Sequence, residues 1–428
     1  MIARLIWYLY GLRKNLRLEN ARLQAMQLKR LKAVIRHAYE NVPFYHMKFD
    51  KAGIKPNDFR SIEDLSKIPI TTKSEILASS LENIVARNFD IAKCVKRTTS
   101  GSTGMPLTIV VNKNQIDFEE AVWNRSLLEN GLKVKDKMAV ISDPRSFPRR
   151  KNWFQQLGIM RREYISIFDD AKKQLSLLKK YKPDVVKGYP SSLAILADAE
   201  KRNVDGVEPR LIFTTAELLD KASRKLINSV YKTELIDNYA CYEFGLLAWE
   251  CHEHMGYHIN MDSAVMEFAR NGETVASGER GEIVCTGLAN YAMPLIRYKI
   301  GDVGIPIKEH CACGVSLPLM KVLEGRLDDF LTTLDGRIVS PTIFFPYPFE
   351  SFRGIRQFRV IQERRDRLVI QLSVKESFDV HTLDKAKREI QKFFGEGMQV
   401  EFQILEKIER DPTGKLGKII SHIPVNIV

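Results

Sequence analysis

Thr98-Thr99-Ser100-Gly101-Ser102-Thr103-Gly104-Met105-Pro106 is the stretch on which the reading of the fold turns. Glycines at 101 and 104 let the backbone come close to an anion, and consecutive N–H groups in such a loop form a concave nest. The hydroxyls of Ser100, Ser102 and Thr103 add donors suited to phosphate oxygens. Cys94-Val95-Lys96-Arg97 before it and Leu107-Thr108-Ile109-Val110-Val111 after it are strand-like, so the loop is expected to join two strands. It has no GxxxxGK[ST] and opens no helix, which separates it from the Walker type. Composition alone leaves a second reading open, a Ser/Thr/Gly turn that holds no ligand.

Downstream, short apolar or β-branched runs alternate with helical stretches as far as Leu323. KMAVIS, KKQLSLLKKY, DVVKGY, SSLAILADAEKRN, LIFTTAE and ASRKLINSVY follow in that order. This alternation predicts parallel strands with crossover helices, an α/β sheet. YHINMDSAVMEFA, the Asn271–Gly272 turn and GEIVCTGL then read as β-rich. Towards the end, RQFRVIQERRDRLVIQLSV reads as two strands around a charged turn, HTLDKAKREIQKFF has helical spacing, and MQVEFQILEKI is a further strand. The expected fold is α/β: a large N-terminal domain of mixed sheets with flanking helices, 1–325, and a small α+β C-terminal domain, 326–428, hinged near Gly325–Asp329.

Bulk composition narrows the class. At 428 residues the chain exceeds one ordinary domain, and 44% hydrophobic with 28% charged residues is globular, neither disordered nor a membrane bundle. Sixty-six Lys and Arg against 53 Asp and Glu give a formal +13, which suits an anionic surface, nucleic acid or polyanionic substrates. No aromatic–basic RNA motif is present, so nucleic acid is not expected as a partner. The N-terminus reads MIARLIWYLY and then a basic helical stretch, Gly11–Glu40. Arg4 interrupts the apolar run and no small-residue cleavage site follows, so neither a signal peptide nor a span is expected. An amphipathic helix packed on the body is the first expectation, and weak contact with a membrane surface the second. A cytoplasmic protein with its six cysteines reduced is expected in the absence of an export signal.

TTSGSTGMP resembles the phosphate-loop signature of the adenylate-forming superfamily, which includes acyl-CoA synthetases, peptide-synthetase adenylation domains and firefly luciferase. Leu107 stands where many members carry Lys. That departure, together with NVPFYHMKFDKAGI, IPITTKSEI, GERGEIVCTGL, MPLIRYKIGDVG, CACG and EGRLDD, resembles the phenylacetate–CoA ligase branch and its capsular-polysaccharide-type relatives. The resemblance runs from about residue 30 to the C-terminus and keeps the order of the motifs.

The resemblance implies roles for particular residues. Ser100, Gly101, Ser102, Thr103 and Gly104 would hold phosphates, and Ala216 and Glu217 of Thr214-Thr215-Ala216-Glu217 would contact adenine. In Asn238-Tyr239-Ala240-Cys241-Tyr242-Glu243, Tyr239 would stack near adenine and Glu243 would help hold Mg²⁺ against the triphosphate, with Ala240 where Gly is usual. Asp302 would accept hydrogen bonds from both ribose hydroxyls, as two carboxylate oxygens can. Arg326 would approach the ribose, and Asp328 would be the hinge on which a mobile small domain turns. Lys415, in Asp411-Pro412-Thr413-Gly414-Lys415-Leu416-Gly417-Lys418, would bring an ammonium between the attacking carboxylate and the α-phosphate. Lys418 is its nearest competitor.

Three of the six cysteines lie near half of the eight histidines. Cys251, His258, Cys311 and Cys313 suit a structural tetrahedral zinc, with His252, His254 and His310 as substitutes. The expected activity is ATP-dependent activation of a carboxylic acid to acyl-AMP, followed by transfer to CoA, an acyl carrier or a sugar acceptor. The competing readings are a non-catalytic scaffold and a basic protein that binds anionic surfaces or nucleic acid.

Overall fold

A computed structural model describes residues 2–98, 106–148, 153–200, 206–321, 330–339, 354–412 and 414–423. Contacts divide the chain into two compact units, each built from two segments: residues 1–131 with 238–322, and 132–237 with 323–428. The division falls within the strand Leu235–Cys241.

In the first unit, Val95–Thr98 pairs antiparallel with Thr108–Val111, so the phosphate-loop sequence does sit between two paired strands. An antiparallel sheet runs from Glu273–Thr274 through Ala264–Arg270, Gly281–Gly287, Tyr298–Ile307, Leu319–Lys321, Tyr257–Ile259 and Gly245–Glu250 to the end of Leu235–Cys241. The N-terminal helix Ile2–Asn15 packs on the helix Lys113–Glu129. Arg4 donates to Asp117 at 2.6 Å and Arg13 to Glu129 at 2.8 Å, so the first expectation for this segment holds. Among the described residues no helix is long and apolar enough to cross a membrane.

The second unit carries the predicted alternation. Leu211–Thr215, Val185–Gly188, Lys137–Ser142 and Arg161–Ser166 are neighbouring parallel strands, with the helices Ala171–Tyr181 and Pro190–Glu200 between them in sequence and Lys221–Tyr231 after the last. Asp170 and Asp220 cap the first and last of these helices by accepting from Lys173 N and Ser223 N, each at 2.8 Å, which satisfies backbone donors that a helix start leaves unpaired. The region expected as the small domain has its own sheet, ordered Gln399–Ile404, Arg367–Val374, Ile355–Arg364, Ile419–Ser421. The helix Thr382–Phe394 buries Ala386, Ile390 and Phe394, spaced by four, and Ile390 and Phe394 share a core with Val360, Leu368 and Ile370.

A fully buried ion pair organises the first unit. The guanidinium of Arg125 donates to both Asp262 oxygens at 2.5 and 3.0 Å, to Asn260 Oδ1 at 2.5 Å and to the Leu12 carbonyl at 3.1 Å. Asn15 Nδ2 also donates to Asp262, at 3.1 Å, and Trp249 Nε1 to Asn260, at 3.1 Å. Both charged side chains are 0% exposed. Removing one partner of such a pair leaves the other buried and uncompensated, so Asp262→Ala should cost about 3–5 kcal/mol in urea unfolding of the purified protein. Asp198→Ala, at the half-exposed pair with Lys375, should cost no more than about 1 kcal/mol.

Candidate functional site

Tyr239 and Asp302, assigned separately from two motifs, meet in the first unit. The Tyr239 hydroxyl donates to Asp302 Oδ2 at 2.6 Å. Burial, with the Asp302 carboxylate beside it, drives the phenol far above its ordinary pKa, so it remains a donor. Arg297 fixes the turn that leads to Asp302 with a left-handed backbone, φ 49°. Its guanidinium reaches Glu267 at 3.1 Å and the carbonyls of Ser66, Ile68 and Gly272 at 3.0, 2.7 and 3.0 Å, contacts that offset a conformation L-residues rarely adopt.

Glu243 is half-buried and lines a cleft with Gln115, Phe118, Glu119, Phe244 and Met293. Gly245 has φ 71°, and a Cβ there would press on Glu119 at 3.2 Å, so this turn needs glycine. Glu119 accepts from Gln115 Nε2 at 2.8 Å and from Arg97 at 2.5 Å. Sequence reading missed this polar wall, because Gln115 and Glu119 look like ordinary positions one helical turn apart.

Ala216, Glu217 and Lys415 belong to the second unit. Ala216 has φ 77°, strained for a residue with a Cβ. Glu217 accepts from Ser191 N and Oγ, both at 3.0 Å, and from Leu416 N at 2.6 Å. The Lys415 backbone is tied to Asp411, whose Oδ1 accepts from Lys415 N at 2.9 Å. Among the described residues the Lys415 ammonium has no ion-pair partner, whereas Lys418 Nζ donates to Asp220 at 2.5 Å and to Ser223 Oγ at 3.3 Å. Asp220, Arg410 and Ser191 left no motif to read; only the capping Asp ahead of a helix marked Asp220. Ser100, Gly101, Ser102, Thr103, Gly104, Arg326 and Asp328 lie outside the described residues.

The cysteine–histidine residues converge in the first unit. Ligand atoms of Cys251, His258, Cys311 and Cys313 all lie within 4.8 Å of one another, with Cys251 Sγ 3.5 Å from Cys311 Sγ and Cys313 Sγ 3.3 Å from His258 Nε2. Bond lengths at a tetrahedral zinc imply ligand separations of about 3.5–3.8 Å, close to these values. Burial lowers the His258 pKa to about 4, which leaves its imidazole neutral and able to ligate. Burial also raises the Cys251 and Cys313 thiols, a preference that a bound cation reverses. Of the substitutes, His252 and His254 pair with Glu253 and Glu250 at 3.2 and 3.5 Å instead.

The chain is 31% identical over 327 residues to a phenylacetate–coenzyme A ligase of Escherichia coli (strain K12), covering 72% of each protein. The chain belongs to the phenylacetate–coenzyme A ligase family. As a member it is an adenylate-forming carboxylate ligase. Residues 331–422 match the family described as the CapK C-terminal domain. Protein CapK of Staphylococcus aureus is 22% identical over 410 residues, covering 93% of this chain and 89% of that one. The fold matches a 2-hydroxyisobutyryl-CoA ligase solved in its postadenylation state with 2-HIB-AMP, at a TM-score of 0.77 and 19% identity over 95% of this chain and 91% of that one.

A short hydrogen bond between a phenol and a carboxylate should couple the two side chains. In a double-mutant cycle of Tyr239→Phe and Asp302→Asn, unfolding free energies should show a coupling of about 1.5–3 kcal/mol, the scale for a hydrogen bond to a charged group. Additive effects would mean that the contact does not form in solution.

Proposed function

We propose that the protein joins a carboxylic acid to ATP, releases pyrophosphate, and passes the resulting acyl group from acyl-AMP to coenzyme A. Family membership carries this reading, and the meeting of Tyr239 with Asp302 supports it. Asp302 would take the ribose hydroxyls, Tyr239 would lie against adenine, and Ser100–Gly104 would hold the phosphates. Glu243 offers one carboxylate, enough for Mg²⁺, which takes few protein oxygens and several from phosphates and water. Bound there, Mg²⁺ would offset charge on the triphosphate. The apolar side chains of Phe118, Phe244 and Met293 beside Glu243 give room for the organic part of the acid. Lys415, whose ammonium has no ion-pair partner among the described residues, is the better placed of the two loop lysines to stabilise charge as carboxylate and α-phosphate approach.

Pyrophosphate–ATP exchange in the presence of Mg²⁺ should appear with at least one acid from a panel of aromatic, fatty and hydroxy acids. Lys415→Ala should slow acyl-AMP formation by about 10²–10³-fold, the scale for one electrostatic stabiliser, with ATP affinity little changed. Absence of exchange across the panel would overturn the reading. Offering CoA, an acyl carrier and a sugar amine to preformed acyl-AMP identifies the acceptor.

A zinc ion on Cys251, His258, Cys311 and Cys313 belongs to the same reading. Four protein ligands leave no open position, so the metal would staple the structure and take no part in catalysis. Freshly purified, unchelated protein should hold about one zinc per chain, and Cys311→Ser should lose it together with thermal stability, while Cys94→Ser retains it. Metal-free wild-type protein would remove zinc from the proposal.

A further inference from the structure

The segment Arg410–Lys418 is held by side chains from the parallel-strand part of its own unit. The Arg145 guanidinium donates to the Pro412 carbonyl. Arg410 Nη1 donates to Ser191 Oγ at 2.9 Å, and that hydroxyl donates in turn to Glu217 Oε1 at 3.0 Å. Glu217 Oε1 also accepts from Leu416 N at 2.6 Å, and Asp220 accepts from Lys418 Nζ at 2.5 Å. Between these points Gly414 adopts φ 83° with its α-carbon against Ile167, and a Cβ there would collide with Ile167 Cγ2. Glycine at 414 is thus required twice, by its dihedral and by close approach.

We propose that Glu217 and Asp220 form an acidic dock that positions the loop Arg410–Lys418, and that making and releasing this dock sets the partition between acyl-AMP formation and acyl transfer. The second half of the statement rests on the ligase reading above; the dock itself rests on geometry alone. The dock gives Asp220, Ser191, Arg410 and Lys418 a role as positioning residues, which for Asp220 adds to its capping of Lys221–Tyr231. It also separates the two loop lysines, since Lys418 is spent on Asp220 while Lys415 rides on a backbone pinned on either side, at Gly414 and Leu416.

The energetics suit a releasable contact. Asp220 and Glu217 side chains are each 9% exposed and those of Arg410 and Lys418 10% and 18%, too buried for these to be screened surface pairs of negligible effect. Yet ion pairs out of water nearly cancel their own desolvation, so they fix geometry more than they add stability. A loop held this way is accurately placed and can still be freed.

Asp220→Asn tests the dock cleanly. Asparagine caps a helix as well as aspartate does, so Lys221–Tyr231 keeps its N-cap while the charge facing Lys418 is lost. In the full-length protein, hydrogen–deuterium exchange at Gly414–Leu416 should accelerate by about tenfold or more in Asp220→Asn and in Lys418→Met, and the double variant should be no faster than either. Exchange in the sheet around Val369 should not change. The rate of acyl-AMP formation should fall by about tenfold, while transfer from chemically supplied acyl-AMP stays the same or rises. Unchanged loop exchange in both single variants, or additive effects, would overturn the dock. An equal fall of both half-reactions would show a purely structural contact and overturn its part in partition. If wild-type protein adenylates no acid, the exchange measurements still decide the dock, and only the ligase reading falls.

Discussion

Arg125 and Asp262 hold the first unit together, and the local structure follows from how two buried charges must be satisfied. A guanidinium and a carboxylate with no exposure to water survive when surrounding groups take up most of their hydrogen bonds, as here for every Arg125 and Asp262 contact save that of Arg125 Nε. Here those groups come from distant parts of the sequence: the Leu12 carbonyl and Asn15 from the N-terminal helix, and Asn260 from the turn after Tyr257–Ile259. Each contact constrains where its element lies, so the N-terminal helix, the helix Lys113–Glu129 and the strands around Trp249 are fixed together. The cysteine–histidine cluster sits on the same framework. His258 flanks Trp249 with ring centroids 5.0 Å apart, and after burial the nearby positive charge of Arg125 further favours its neutral form.

The second unit uses charge differently. Its parallel strands present the Ala216–Glu217 turn and the N-cap Asp220 within five residues, and both carboxylates are engaged by one loop near the C-terminus. Burial pushes the Asp220 carboxyl up, but Lys418 and the hydrogen bonds from Ser223 more than offset this and hold it below the ordinary range. The strained Ala216 directly before Glu217 fits a turn whose shape is dictated by what the carboxylate must reach.

Much of this was legible from local pattern. Alternating β-branched and helical runs gave the parallel strands, because a strand repeats every two residues and a helix every 3.6. The helix Thr382–Phe394 showed its buried face in the same way. Glycine and proline punctuation placed the turns, and the Cys-x-Cys-Gly segment with the preceding Cys and His pointed to side chains that meet in the fold. Harder to read were residues whose importance depends on a partner more than a hundred positions away. Arg125 lies in a helix with several other polar residues, and nothing near it names Asp262 as its partner.

By itself, then, the sequence determined the alternation of strands and helices, the family, and which residue types could serve ATP chemistry or a metal. Those properties reside in short windows, where dihedral preference, side-chain period and donor chemistry act without reference to the rest of the chain. Only tertiary structure decided that Tyr239 donates to Asp302, that Lys418 is paired while the Lys415 ammonium has no ion-pair partner among the described residues, and that Glu217 grips Leu416. Such pairings are settled by packing, which sets the distance between groups remote in sequence and removes the water that would otherwise weaken their attraction.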